Sequence, residues 1–192
     1  MKLTTEVIEI IESRAFRDAL ETNDFNRMYH GGIIPLDGKT RGAITYLFLS
    51  FDINPLMYMT EVPIRFAQQL DFSNIHLDIP NGIKVLQYGC FMGCTGLGGQ
   101  YITIPDTVEI IESRAFMSSD IENVVIGRNV REINSNAFVY CDKLQNVKIK
   151  TSKWDLYDGS GSHVSTDKLG EDSGIDARLL VDWCYLNWKK KK

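Results

Sequence analysis

Residues 104–116 read IPDTVEIIESRAF, and eight of them, EIIESRAF, occur again at residues 9–16. A chance octapeptide match in a chain of 192 residues is so improbable that internal duplication is the default explanation. Around the downstream copy the pattern recurs with a period of about 25, marked by Phe66, Phe91, Phe116 and Phe138. Self-similarity in that range is the signature of stacked units, each too small to bury its apolar face alone and stable only against its neighbours.

Three units align on Pro80, Pro105 and Gly127. Alternating apolar positions precede each: Ile75, Leu77 and Ile79, then Ile102 and Ile104, then Val124 and Ile126, with Val147 and Ile149 closing the series. β-branched alternation stopped by Pro or Gly predicts one short strand per unit with one face buried. Past the turn, apolar residues fall at fixed offsets: Ile83, Leu86 and Phe91; Val108, Ile111 and Phe116; Val130, Ile133 and Phe138. A small residue (Cys94, Ser119, Cys141) and an aliphatic one (Leu97, Ile121, Leu144) follow each Phe. Identical offsets predict identical burial, and SRAF or SNAF suits a helical turn or tight bend that carries the ring inward.

Upstream, Pro55, Phe66 and Phe72 fit a further unit, with Leu47, Leu49, Phe51 and Ile53 as its strand. A first unit begins near Leu3, with Ile8, Ile11, Phe16 and Ala19 in the expected places. Between them, residues 17–41 break the register and contain Gly31-Gly32 and Asp37-Gly38, which makes this stretch a divergent unit or an insertion, with Ile33-Ile34-Pro35 as a possible strand end.

The text IPDTVEIIESRAF (residues 104–116) and VREINSNAFVYCDKLQNVKI (residues 130–149) resembles the BspA-like class of leucine-rich repeats, whose units run to about 23 residues. Specific matching covers roughly residues 66–149, with an isolated copy at residues 4–16. The resemblance implies an α/β repeat: a short, curved, right-handed solenoid with strands along one face and an interaction role, many relatives being secreted or surface-attached adhesins. Divided accordingly, residues 1–54 are an N-terminal cap and divergent units, 55–150 the repeats, and 151–192 a loop, a cap and a Lys tail.

A solenoid end exposes the apolar side of its last unit, so a cap is expected. Ser173 can cap a helix running to about Trp188, with Leu179, Leu180, Trp183, Cys184 and Leu186 on its apolar face. That helix either covers the last repeat or binds a partner through Trp183, Tyr185 and Trp188. Residues 152–174, rich in Gly, Ser and Asp, read as a loop; Asp155, Asp158 and Asp167 do not have the spacing of an EF-hand.

Composition excludes several classes. Apolar residues at 44% and charged residues at 24% describe a folded globular chain. Four of the 21 basic residues sit in the terminal Lys run, leaving 17 against 25 acidic ones, so the body repels phosphate backbones and no nucleic acid partner is expected. No secretory h-region and no membrane-spanning stretch occur, so no membrane partner is expected and the location expected is cytoplasmic, the host cytoplasm if the source is viral. Cys90, Cys94, Cys141 and Cys184 form no metal-ligand pattern, and two occupy equivalent repeat positions as small core residues. His30, His76 and His163 share no motif; no catalytic residue, cofactor or metal is expected.

What remains is a surface. Outward residues of successive strands should form one continuous face: His76, Asp78, Thr103, Val125 and Lys148, with Gln100 and Tyr101 at its rim. Its mixture of polar, charged and apolar groups suits another protein better than a small apolar ligand. The function expected is a non-enzymatic protein–protein interaction module, an accessory or inhibitor protein of a bacterium or bacteriophage. The alternative is a self-assembling structural component or adhesin, of a virion or cell surface. Oligomeric state is open.

Overall fold

The computed structural model describes residues 3–150 and, beyond them, the backbone of strands at residues 154–157, 163–164, 174–175 and 186–190. Two structural styles meet near residue 60. Before it lie helices α1 (Thr5–Glu12), α2 (Arg14–Glu21), α3 (Phe25–Tyr29) and α4 (Gly38–Ser50), then a 3-10 turn at Pro55–Tyr58. After it the chain winds through parallel strands.

Each complete unit contributes two strands rather than the single one expected. Short strands β1 (Glu61–Val62), β2 (Val85–Leu86), β4 (Ile110–Ile111) and β6 (Glu132–Ile133) form one parallel ladder, which aligns Val62, Leu86, Ile111 and Ile133. The longer strands β3 (Tyr101–Ile104), β5 (Asn123–Ile126) and β7 (Asn146–Ile149) form a second. The two-residue strands escaped the reading because so short a segment shows no alternation; pairing with neighbours creates them. At the far end each ladder gains antiparallel strands. β11 (Leu186–Lys190) pairs with β6 and with β8 (Trp154–Tyr157), which pairs with β9 (His163–Val164); β10 (Gly174–Ile175) pairs with β7.

Within the repeats the predicted core is the observed core, whereas upstream Ile8 and Phe51 are exposed. Ile83, Val108 and Val130, then Leu86, Ile111 and Ile133, are buried, as are the small residues Cys94, Ser119 and Cys141 and the aliphatics Leu97, Ile121 and Leu144. Phe66, Phe91, Phe116 and Phe138 form one buried column with successive ring centroids 6.3, 5.2 and 5.1 Å apart. Such pairs contribute about 0.5–1.5 kcal/mol each beyond the area they bury. The register differs at the first ring. Ala67, not Phe66, donates its N–H to Cys90 O, as Phe91 does to Ala115 O and Phe116 to Ala137 O. Residues 66–67 are therefore an inverted Ala-Phe pair, and Phe66 meets Phe91 edge-on at 84° while the other pairs stack.

The bend around each ring has a left-handed residue on either side: Arg65 and Gln69, Gly89 and Gly93, Arg114 and Ser118, Asn136 and Tyr140, all with φ between 54° and 69°. Only the second unit uses glycine at both places, where this conformation carries no steric cost. The other units hold it with ladder hydrogen bonds such as Ser118 N–H to Val139 O at 2.9 Å.

Four expectations are corrected. Residues 3–19 do not form a repeat strand: Thr4 and Ser13 cap α1 and α2 by accepting the N–H groups of Val7 and Phe16, and the helices bury Val7, Phe16 and Ala19. Leu47 and Leu49 lie in α4, and Phe51 and Ile53 just beyond it; Asp37 caps that helix at Thr40 N, and Gly38, Arg41, Gly42, Thr45 and Phe48 form a buried helical face that overrides the alternation. Ile33-Ile34-Pro35 joins no strand and packs Ile34 as core. The expected C-terminal helix is replaced at both ends by strands β10 and β11, which take up the open ladder groups of β7 and β6; residues 176–185 lie outside the described set.

Gly38 and Gly42, one turn apart on α4, seat the helix on the first rung. A Cβ on Gly42 would stand 2.6 Å from Gln68 O, and one on Gly38 would strike the Gln68 side chain.

Candidate interaction surface

β3, β5 and β7 expose alternate residues, and their register sorts these into two rows. Tyr101, Asn123 and Asn146 form one; Thr103, Val125 and Lys148 form the other. Tyr101 is 67% exposed, Thr103 and Lys148 are exposed and Val125 is half-buried. Asn146 Nδ2 donates to Asn123 Oδ1 at 2.7 Å, which binds neighbouring strands across the outer face. The row continues to Gly174 of β10, opposite Lys148, so this edge is longer than the repeat pattern indicated.

His76 and Asp78 do not sit on a strand. Their segment is equivalent to β3 by spacing, yet the ladder stops at β3. Gln100 is the cause. Its amide turns inward instead of lying at the rim: Oε1 accepts Leu77 N–H at 3.0 Å, and Nε2 faces the carbonyls of Phe72, Ile75 and Gly96 at 3.1–3.4 Å. One side chain thus replaces the first backbone rungs, and a cleft of about 720 Å3 opens between residues 76–81 and β3. It brings His76 and Asp78 together with Tyr101 and Thr103, as expected, and adds Met57 and Lys150. Asp106 also lines it; partial burial pushes its pKa up, but the Arg128 backbone N–H and guanidinium, at 3.0 and 2.7 Å, hold it below the usual carboxylate value. Met57, 63% exposed, belongs to a helical turn that the repeat register could not place.

The other reactive residue types serve the core. Cys90, Cys94 and Cys141 are free and buried, and burial pushes the Cys141 thiol up to about 11 and raises the other two as well. Cys94 and Cys141 each donate to a carbonyl one unit back, Ala67 O and Phe116 O, at 3.0 Å. His30 faces Glu61 at 3.5 Å, far in sequence from His76. Among the described residues no cluster of His, Cys, Asp and Glu could hold a metal ion, and no helix is long and apolar enough to cross a membrane. Cys184 and the side chains of Asp155, Asp158, His163 and Asp167 lie outside the described set.

A two-ladder stack with a central Phe column and small residues after each ring has a counterpart among known repeats: the family model of the BspA type leucine rich repeat region (6 copies) matches residues 65–160. The chain belongs to that family. Comparison with curated proteins and with solved structures found no match. The BspA-type repeat is generally a non-enzymatic scaffold, which suggests a protein-interaction or surface module. The match begins at Arg65, within the inverted Ala-Phe turn, so the helices stand outside it.

Proposed function

We propose that this chain is a non-enzymatic interaction protein that captures another protein on the outer face of β3, β5 and β7 and the adjoining cleft. The observation that carries this reading is the alignment of Thr103, Val125 and Lys148 in one outward-facing row beside the cleft that gathers His76, Asp78 and Tyr101. The mixed chemistry of the row and the exposed aromatic at its end match the composition of protein interfaces. The proposed setting is the cytoplasm, the host's if the source is viral, and the proposed class an accessory or inhibitor protein of a bacterium or bacteriophage. Three buried free thiols are compatible with a reducing compartment.

Because these side chains point away from the core, the combined variant His76→Ala, Thr103→Glu, Val125→Glu, Lys148→Glu should keep its thermal midpoint within a few degrees and lose capture of the proteins retained by the parent chain in an affinity pull-down read by mass spectrometry. Retention of the same proteins by the variant would move the interface elsewhere.

A second reading, a self-assembling structural component or adhesin, draws on a different region. Phe51 is 75% exposed beside an apolar groove that includes Ile11, Leu20 and Leu47. Light scattering decides it: self-assembly predicts a concentration-dependent mass that Phe51→Ser reduces to that of one chain, and a single-chain mass in the parent ends this reading.

A further inference from the structure

Arg41 is the largest fully buried side chain, 1% exposed, and no carboxylate lies within 4 Å of its guanidinium among the described residues. Its partners are backbone carbonyls: Nε donates to Pro35 O at 2.7 Å, Nη1 to Ile64 O at 2.7 Å, and Nη2 to Tyr29 O and to Ile34 O. The candidate counter-ions are committed elsewhere. Asp37 caps α4 through Thr40 N at 2.9 Å, and Glu61 faces His30 at 3.5 Å. A second guanidinium, that of Arg65, approaches the same loop at Leu36 O and repels the first. Carbonyl dipoles satisfy hydrogen-bond geometry, but the only carboxylate that acts on the guanidinium, Asp37, does so from beyond 4 Å, and a buried charge without a paired counter-ion is costly.

Beside it is a cavity of about 370 Å3, whose wall includes Arg41, Gln87, His30, Ile34, Pro35 and Leu36. Arg41 and Gln87 each present an unspent side-chain donor on that wall. A guanidinium has five N–H groups, and the four bonds above leave one on Nη1. Gln87 Oε1 accepts Ile64 N–H at 3.0 Å, which orients the amide and leaves Nε2 without a partner among the described residues. One N–H from each residue, over an apolar wall, matches a group with two acceptor oxygens, one negative charge and a short hydrocarbon body.

We propose that this cavity is a binding site for a small monocarboxylate, one oxygen taking the free Nη1–H of Arg41 and the other the Nε2–H of Gln87, with the hydrocarbon end against Pro35 and Leu36. Charge-assisted bonds of this kind are the strong ones, and although the cavity opens to solvent beside the 60% exposed Leu36, they bring a negative charge onto the buried guanidinium. The two acceptor oxygens and single charge of a carboxylate match these two side-chain donors more closely than a phosphate or sulfate does.

The test uses the full chain and propionate as probe, with sodium chloride at equal ionic strength as reference. Propionate should raise Tm by several degrees in a saturable way, and backbone amide signals of residues 30–36 and 87 should shift along with it. Gln87→Glu is the decisive variant. Glu112 occupies the same place one unit on and accepts Tyr88 N–H at 2.8 Å, so glutamate preserves the fold while it supplies the missing negative charge and removes the amide donor. The variant without ligand should melt above the parent, and propionate should no longer raise its Tm. The proposal is overturned if propionate gives the parent no saturable rise, if Gln87→Glu retains that rise, or if sulfate or phosphate binds where propionate does not.

Discussion

The residues EIIESRAF form parts of two helices at 9–16 and one rung of a stack at 109–116. In the first copy Glu9 to Glu12 end α1, Ser13 caps α2 through Phe16 N at 3.1 Å, and Arg14 begins α2 and pairs with Asp18 at 3.6 Å. In the second, Ile110–Ile111 is a strand, Glu112 accepts Tyr88 N–H, Ser113 donates to Ser135 O at 2.8 Å, and Arg114 turns left-handed with φ 60°. The octapeptide cannot hold the difference, so its surroundings must. Arg17-Asp18-Ala19-Leu20-Glu21 continues the upstream copy with helix formers, whereas Met117-Ser118-Ser119-Asp120 favours a turn. Strands β2 and β4 as well as β4 and β6 pair directly, which gives the downstream isoleucines a ladder on both sides. Local propensity is a weak prior, and here pairing partners decide.

Equivalent substitutions in the two copies should therefore have unequal effects. The largest difference belongs to the ring. Phe116→Ala empties the middle of the column between Phe91 and Phe138 and should cost about 3–5 kcal/mol in urea unfolding, while Phe16→Ala, which removes a buried ring that stacks on Phe48 alone beside the surface groove, should cost less. Equal losses would mean that the helices and the stack share one core of uniform quality. Next is the preceding alanine. Ala115 is fully buried and Ala15 is exposed on α2, so Ala115→Leu should destabilise by about 1–3 kcal/mol and Ala15→Leu should stay within about 0.5 kcal/mol. The smallest effect has the most telling sign. Arg14→Gly places glycine at the start of a helix and should cost about 0.5–1 kcal/mol, whereas Arg114→Gly relieves a left-handed arginine, as Gly89 does one unit earlier, and should be neutral or stabilising by up to about 1 kcal/mol. A matching loss at both positions in thermal unfolding would contradict the two conformations.

The repeat region was legible because its information is periodic. Ile83, Val108 and Val130 hold one place in successive units, and so do the three Phe residues at 91, 116 and 138; their burial followed from equality of offset. The row of Thr103, Val125 and Lys148 was legible for the same reason, through the two-residue period of a strand. Non-periodic information was lost. The inward turn of the Gln100 amide, which removes His76 and Asp78 from the ladder, is a single side-chain event that leaves no pattern. The buried Arg41 face of α4 was hidden because Leu47, Leu49, Phe51 and Ile53 imitate strand alternation. Strands β10 and β11 owe their existence to the open ladder groups of β7 and β6, which no local composition records.

Leaning α4 against the first rung through Gly38 and Gly42 makes the stack directional. With that face plugged by a helix whose backbone touches the neighbouring carbonyl of Gln68, a second molecule has no rung to continue, and head-to-tail addition stops before it starts. Natural selection can lengthen such a protein by inserting further units between existing ones, but copies of the finished chain cannot join end over end into a fibre through this terminus.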